Sequence, residues 1–224
     1  MALDIGDAVE QGVHRTLERN GLLLVAAFLL LNLASALLGL RTGPTGMEAP
    51  ATVSGNPAAL ALIGIIVSLL SVVVSIAALR VFVTDETEIV PDEAFKRNMG
   101  NALLHTIIGG FLFGIAVVVG LILLVIPGVY LMLALFFWTV FVAVEDENFY
   151  EAMQSAWDMS KGHKWQLLGL VLVIVVINIV LSAVGAAAAV AGPRTVGMLV
   201  MQVLSAFGGV FALAAQARAY TQLT

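Results

Sequence analysis

Cysteine does not occur in this sequence of 224 residues, and only 11% of the residues are charged. The first absence removes disulfides, thiolate nucleophiles and cysteine-ligated metals together. The second is too little charge for the surface of a soluble domain, which carries about 25%. Lys and Arg number 10 against 15 Asp and Glu, a formal net charge of −5. No basic footprint for nucleic acid is left by that balance, and no nucleic-acid partner is expected. A basic n-region is also missing. Asp4, Asp7 and Glu10 stand where a secretory signal needs positive charge, and the first apolar run is too long for an h-region. That run is expected to stay in the protein.

What fills the space is apolar: 61% hydrophobic residues and a mean hydropathy of +1.05. About 20 apolar residues cross the roughly 30 Å of bilayer hydrocarbon as a helix. Gly21–Leu40, Ala58–Leu79, Trp165–Val190 and Thr195–Ala217 each meet that length without an interior charge. The 43 uncharged residues Ala102–Val144 are about twice as long and must fold back. Within them "VIPGVY" carries Pro127 and Gly128. Proline cannot donate to a preceding helix but suits the first turn of the next, and glycine tolerates a reversal. The reading is a hairpin of Ala102–Ile126 and Pro127–Val144 with its turn at Pro127 and Gly128, on the membrane surface.

The expected fold class is therefore all-α, a polytopic membrane protein with six transmembrane helices in one domain, 1–224. Six spans put the N-terminus, residues 80–101, residues 145–164 and the C-terminus on one side. Eight of the ten Lys and Arg fall there, and only Arg41 and Arg194 fall opposite. That asymmetry places both termini in the cytoplasm of a cell membrane. Fourteen of the fifteen acidic residues share that side, Glu48 being the exception. Such a face would suit a salt-rich archaeal cytoplasm; an ordinary solvated loop surface accounts for it equally well.

The segments between spans have helical patterning. Ile5, Val9, Val13 and Leu17 recur every four residues, and Gly21 is placed to end that helix. Pro91 opens a short helix in which Phe95 and Met99 share a face, with Gly100 as its stop. Asn148 and Glu151 have capping-box spacing ahead of a stripe formed by Phe149, Met153, Ala156 and Trp157. These amphipathic helices precede each pair of spans, dividing the chain into pseudo-repeats 1–83, 84–144 and 145–224. Phe149, Trp157 and Trp165 are candidates for the headgroup interface; capping the bundle is the alternative role. Residues 41–57, rich in Gly, Pro and Thr, read as an irregular external connection.

Candidate chemistry is sparse. An ionisable side chain deep in a span marks an ion or proton pathway. Only His105, a few residues into its span, approaches that description, and Arg80 is placed to snorkel from a span end. Asn32, Asn178 and Gln202 could line a polar cavity, although amides in spans more often bond helix to helix. Gly110 and Gly114 form GxxxG, while Ser205, Gly208, Gly209 and Ala212 make a second small-residue face. Either pair of faces allows close helix packing, within a subunit or between two copies. The acidic groups Asp85/Glu86/Glu88 and Glu145/Asp146/Glu147, and His14, His105 and His163, lack metal-ligand spacing. No catalytic, phosphate-binding or dinucleotide motif occurs, so no catalytic residue, metal or cofactor is expected.

The stretch Ile126–Leu170 resembles a family of multi-span membrane domains. That family includes the membrane domain of some glycerophosphodiester phosphodiesterases and six-span proteins of bacteria and haloarchaea. Pro127, Gly128, Tyr130, Glu145, Ala152, Ser155, Gly162 and Trp165 carry the likeness. It implies six spans; this sequence has no soluble catalytic domain, so the hydrolase activity does not carry over. Two functional expectations follow. The first is a non-enzymatic, self-associating scaffold or accessory component whose partners are membrane lipids and further copies of itself. The second is a transporter or lipid-handling protein with a polar cavity near Asn32, Asn178 and Gln202, its small-molecule substrate unknown.

Overall fold

Long apolar runs with few interior breakers leave the backbone one economical way to satisfy its own polar groups, the helix. The computed structural model describes residues 3–37, 56–84, 87, 89–191 and 193–224, and among these residues there are ten helices and no strand. In order they are α1 (Ile5–Leu17), α2 (Arg19–Leu37), α3 (Pro57–Val83), α4 (Asp92–Lys96), α5 (Met99–Leu123), α6 (Val125–Ala134), α7 (Trp138–Val144), α8 (Phe149–Met159), α9 (Lys164–Ala191) and α10 (Arg194–Leu223). Six stretches are long and apolar enough to cross a membrane: α2, α3, α5, α6 with α7, α9 and α10. Residues 41–55 of the expected irregular connection lie outside the described residues, as do Asp85, Glu86 and Glu88.

Polar caps start the helices where the sequence offers them. Asp4 accepts from the Asp7 N–H, Asn56 from Ala58, and Asn148 from Tyr150 and Glu151, the last two at 3.0 Å. The glycines behave differently from expectation. Gly21 does not end α1, which stops at Leu17; it lies inside α2, where a Cβ would come within 2.6 Å of the Thr16 carbonyl. Its missing side chain lets α2 fold back tightly from the end of α1. Gly100 likewise does not stop α4. That helix ends at Lys96, Asn98 takes a left-handed φ of 40°, and Met99 and Gly100 already belong to α5.

The hairpin also departs from the expected turn. The reversal is at Leu124, the single extended residue (φ −160°, ψ 133°) between α5 and α6. Pro127 sits in the first turn of the returning helix, where a missing N–H costs nothing. Gly128 serves proximity rather than backbone freedom. A Cβ built on Gly120 would lie 3.0 Å from the Gly128 Cα, so the two helices meet backbone to backbone.

Burial is uneven along the bundle. The main buried cluster joins Leu3, Ala8 of α1, Ile76 and Leu79 of α3, Ala102 of α5, α7, Ala152 and Ala156 of α8, Leu167 and Leu170 of α9, and Ala219 and Tyr220 of α10. All of these lie toward the end of the molecule that holds the N- and C-terminal segments. The remote halves of α3, α5, α9 and α10 present exposed Leu, Ile, Val and Met side chains. The α9–α10 pair stays close through glycine contacts. A Cβ on Gly185 would be 3.0 Å from the Met201 Cα, and one on Gly197 would overlap Ala189.

Candidate functional site

Polar chemistry gathers at the well-packed end, around Arg80. Sequence expectation had this side chain snorkelling to the surface; instead it is 7% exposed. It lies one turn before the end of α3, and its guanidinium reaches across to backbone that has lost helical partners. Nε donates to the Ala143 carbonyl (2.5 Å), and Nη1 donates to Ala94 (3.0 Å) and Arg97 (2.6 Å). Nη2 donates to Asp146 Oδ1 at 3.3 Å, while Arg97 binds Asp146 Oδ2 at 2.8 Å. Asp146 holds a left-handed φ of 57° that turns the chain from α7 toward α8.

Each acceptor has a physical reason to be there. The last carbonyls of a helix lack intrahelical donors. Arg80 supplies donors to the ends of α4 and α7 at once, and Asp146 balances its charge. With four hydrogen bonds already made to protein, the fork has little left to offer a ligand. The arrangement is a clasp among α3, α4, α7 and the 145–148 turn.

Two neighbouring contacts extend it. Tyr220 of α10 is buried edge-on against Phe141, with centroids 5.4 Å apart, and donates its hydroxyl to Glu145 at 2.9 Å. Ser155 of α8 donates to Glu147 at 3.0 Å. Lower in the bundle, α6 and α7 are separated by a short irregular stretch at residues 135–137. Gln216 of α10 donates its side-chain amide to the Phe136 carbonyl at 2.5 Å and lies 3.2 Å from the Thr139 hydroxyl. Irregular backbone in an apolar setting persists where protein satisfies it, and Gln216 does so here.

Among the described residues no hydrogen bond joins the expected intramembrane amides to one another. Asn178 donates to its own helix at Ile174 (2.9 Å), and its Oδ1 packs against Gly208, where a methyl would overlap it. Gln202, half-buried, lies six residues from Gly208, roughly 9 Å along α10. Asn32 is half-buried on α2. None of the three lines the groove of about 430 Å³ between α2, α3 and α5, whose walls include Ser35, Gly64, Ser68, Val72 and Ile107. That groove is nearly apolar and does not join the three amides.

The small-residue faces divide as well. Gly208 packs within the chain against Asn178, and Ala212 is half-buried. Gly114 and Gly209 have no atom within 4 Å of a built Cβ, the nearest to Gly110 is 3.8 Å away on Trp138, and Ser205 is exposed. Besides Gly120, the close approach on α5 is at Gly109, where a Cβ would meet the Trp138 ring at 2.6 Å and the Phe149 Cβ at 3.1 Å. Spacing pointed at Gly110 and Gly114; only the fold distinguishes their neighbour.

Of the interfacial candidates, Phe149 is half-buried beside Gly109 and His105, and Trp165 is 84% exposed. Trp157 stacks edge-on against Tyr130 at 5.5 Å, and Lys164 Nζ lies 3.6 Å from the Tyr130 ring centroid while donating to its hydroxyl. Tyr130 is the one polar-tipped side chain between Ile107 and Phe137, a signal the sequence did carry. Among the described residues no three His, Asp or Glu side chains gather as a metal site.

Every one of these features falls within a single matched region, residues 3–223. The chain belongs to the family described as a domain of unknown function (DUF7847). No curated protein and no solved structure matches it. Clasp, hairpin and aromatic cluster all lie within the matched residues of this chain.

Proposed function

We propose that this chain is a non-enzymatic integral membrane protein that self-associates as a scaffold or accessory component, with both termini in the cytoplasm. The observation carrying this reading is the set of glycines left open on α5 and α10. In lipid, helices associate through close packing rather than a hydrophobic drive, and small residues permit that approach. Gly114 and Gly209 offer it with no atom of their own chain within 4 Å of a built Cβ, and Gly110 meets only the edge of the Trp138 ring at 3.8 Å. The polar groups at the packed end favour the same reading, because Arg80, Asp146, Glu145 and Gln216 are spent on joining helices. Orientation rests on the eight-to-two distribution of Lys and Arg. α1, which buries Ala8, Gly12 and Thr16, and α8, which buries Ala152 and Ala156, are proposed as amphipathic helices of the cytoplasmic interface. The resemblance to the phosphodiesterase membrane domains is consistent with a supporting rather than catalytic role.

The experiment compares Gly114→Leu and Gly209→Leu with Gly208→Leu in mild detergent and in nanodiscs. The first two are expected to run as smaller assemblies with unchanged helicity and melting temperature. Gly208→Leu is expected to lower the melting temperature and leave assembly size alone. A wild-type chain that is monomeric in both media sinks the proposal. The α2–α3–α5 groove supports a second reading, a lipid-handling protein that shelters an acyl chain beside Ser35 and Ser68. Co-purified lipid lost on Gly64→Leu would favour it.

A further inference from the structure

The α5–α6 hairpin has residues enough for two crossings, yet its returning arm is held at the end of the molecule where α8 passes into α9. Tyr130 lies six residues beyond the reversal at Leu124, about 9 Å along α6. Its ring meets Trp157, two residues before the end of α8, and its hydroxyl accepts from Lys164, the first residue of α9. Extended Tyr and Lys side chains each reach roughly 6 Å from Cα. Leu124 therefore lies no more than about 25 Å from the start of α9. The hydrocarbon slab is about 30 Å thick, and α9, with 28 residues, is about 42 Å long. With Lys164 and the exposed Trp165 at one water interface, the tip falls short of the other.

The composition of the tip is an independent observation. Ile122, Leu123, Leu124, Val125 and Ile126 are 66–82% exposed, five large apolar side chains in succession. Between Ile107 and Phe137 only Tyr130 carries a polar group, and it points back toward α9. The far-side connections of the other pairs differ, containing Arg41 and Glu48 in one case and Arg194 in the other. Leu124 donates to the Gly120 carbonyl at 3.0 Å, and Pro127 removes a donor that a helix start would leave without a partner.

We propose that α5 and α6 form a re-entrant hairpin. It enters from the end bearing both termini, turns within the hydrocarbon at Leu124, and returns through the irregular stretch at 135–137 and α7. The chain then crosses the bilayer four times, by α2, α3, α9 and α10, and α5 runs oblique to α9. Both termini stay on one side, as with six crossings, so the count of Lys and Arg cannot separate the two arrangements. The partner of the tip is the acyl interior of the membrane. The inference rests on the chain spanning a bilayer and not on its self-association.

The absence of native cysteine makes the test direct. Leu124→Cys and Ile126→Cys are compared in sealed vesicles with Glu93→Cys on the terminal side and Thr195→Cys on the far side. Membrane-impermeant maleimide is expected to label each reference from its own side and to lose labelling at 124 and 126 from both. A nitroxide at 124 or 126 should be relaxed by oxygen and protected from a water-soluble nickel chelate, at a depth inside the hydrocarbon. Labelling at 124 or 126 from the Thr195→Cys side overturns the proposal, as does a nitroxide depth at the far headgroups. Labelling of both references from one side overturns it together with the spanning reading on which it rests.

Discussion

Arg80 illustrates how a single residue can be visible in the sequence and still be misread. Its place near the end of an apolar run is evident, but the three carbonyls that receive it come from residues 94, 97 and 143, which no local pattern connects. Truncating one partner of a buried ion pair typically costs about 3–5 kcal/mol, because the remaining charge and acceptors are stranded. Arg80→Met is therefore expected to lose stability in that range in detergent denaturation, and Arg80→Lys to recover little, lacking the planar fork. A melting curve unchanged by Arg80→Met would dismiss the clasp. Asp7 makes a gentler statement. The hydrogen bond from Arg218, opposed by desolvation and aided by Gln222, holds its carboxyl below the ordinary value. A depressed folded-state value stabilises above the unfolded one, and the contribution fades as pH falls through it. Docking of α1 on α10 should thus weaken below about pH 4. Asp7→Asn should flatten the acid limb of melting temperature against pH.

At the scale of elements, helix existence was legible and helix junctions were not. Unbroken apolar runs named α3 and α9 within four residues of their ends and the start of α10 within one, while α10 runs on past the expected Ala217 to Leu223. Capping chemistry named the start of α8 at Asn148. Gly21, Gly100 and Gly128 were read as punctuation because glycine so often supplies it, whereas each sits inside a helix. For Gly21 and Gly128 the tertiary reason is close approach, and that information resides in the partner helix. The pair Gly120 and Gly128 gives this a measurable form. Gly128→Leu must overlap Leu121 and separate α5 from α6, and overpacking of this kind costs about 1–3 kcal/mol. Gly114→Leu, which meets open space, should leave thermal stability unchanged. Equal losses in the two variants would show that the hairpin contact is not what distinguishes them.

Across the whole molecule, cohesion is concentrated at one end, where α1, α7, α8 and the tail of α10 interlock, while the other end is left to its surroundings. Nothing in composition foretold this division, since apolar residues are spread almost evenly along the spans. Gln216 joins the two halves of the broken α6–α7 segment to that cohesive end. Gln216→Leu should strand the Phe136 carbonyl at a cost of about 1–3 kcal/mol, read as a lower melting temperature without loss of assembly.

The same bond has a consequence for how the chain is made. Gln216 follows Phe136 by 80 residues, and the partners of Asp4 and Asp7 on α10 follow them by more than 200. A ribosome therefore delivers the gap between α6 and α7, and the whole of α1, long before it delivers what completes them. During translation α1 has to wait, most simply lying on the membrane surface, and the open carbonyl of Phe136 has to borrow water. Arrival of the last helix ends both waits at once, so maturation of the earliest elements is timed by the latest one.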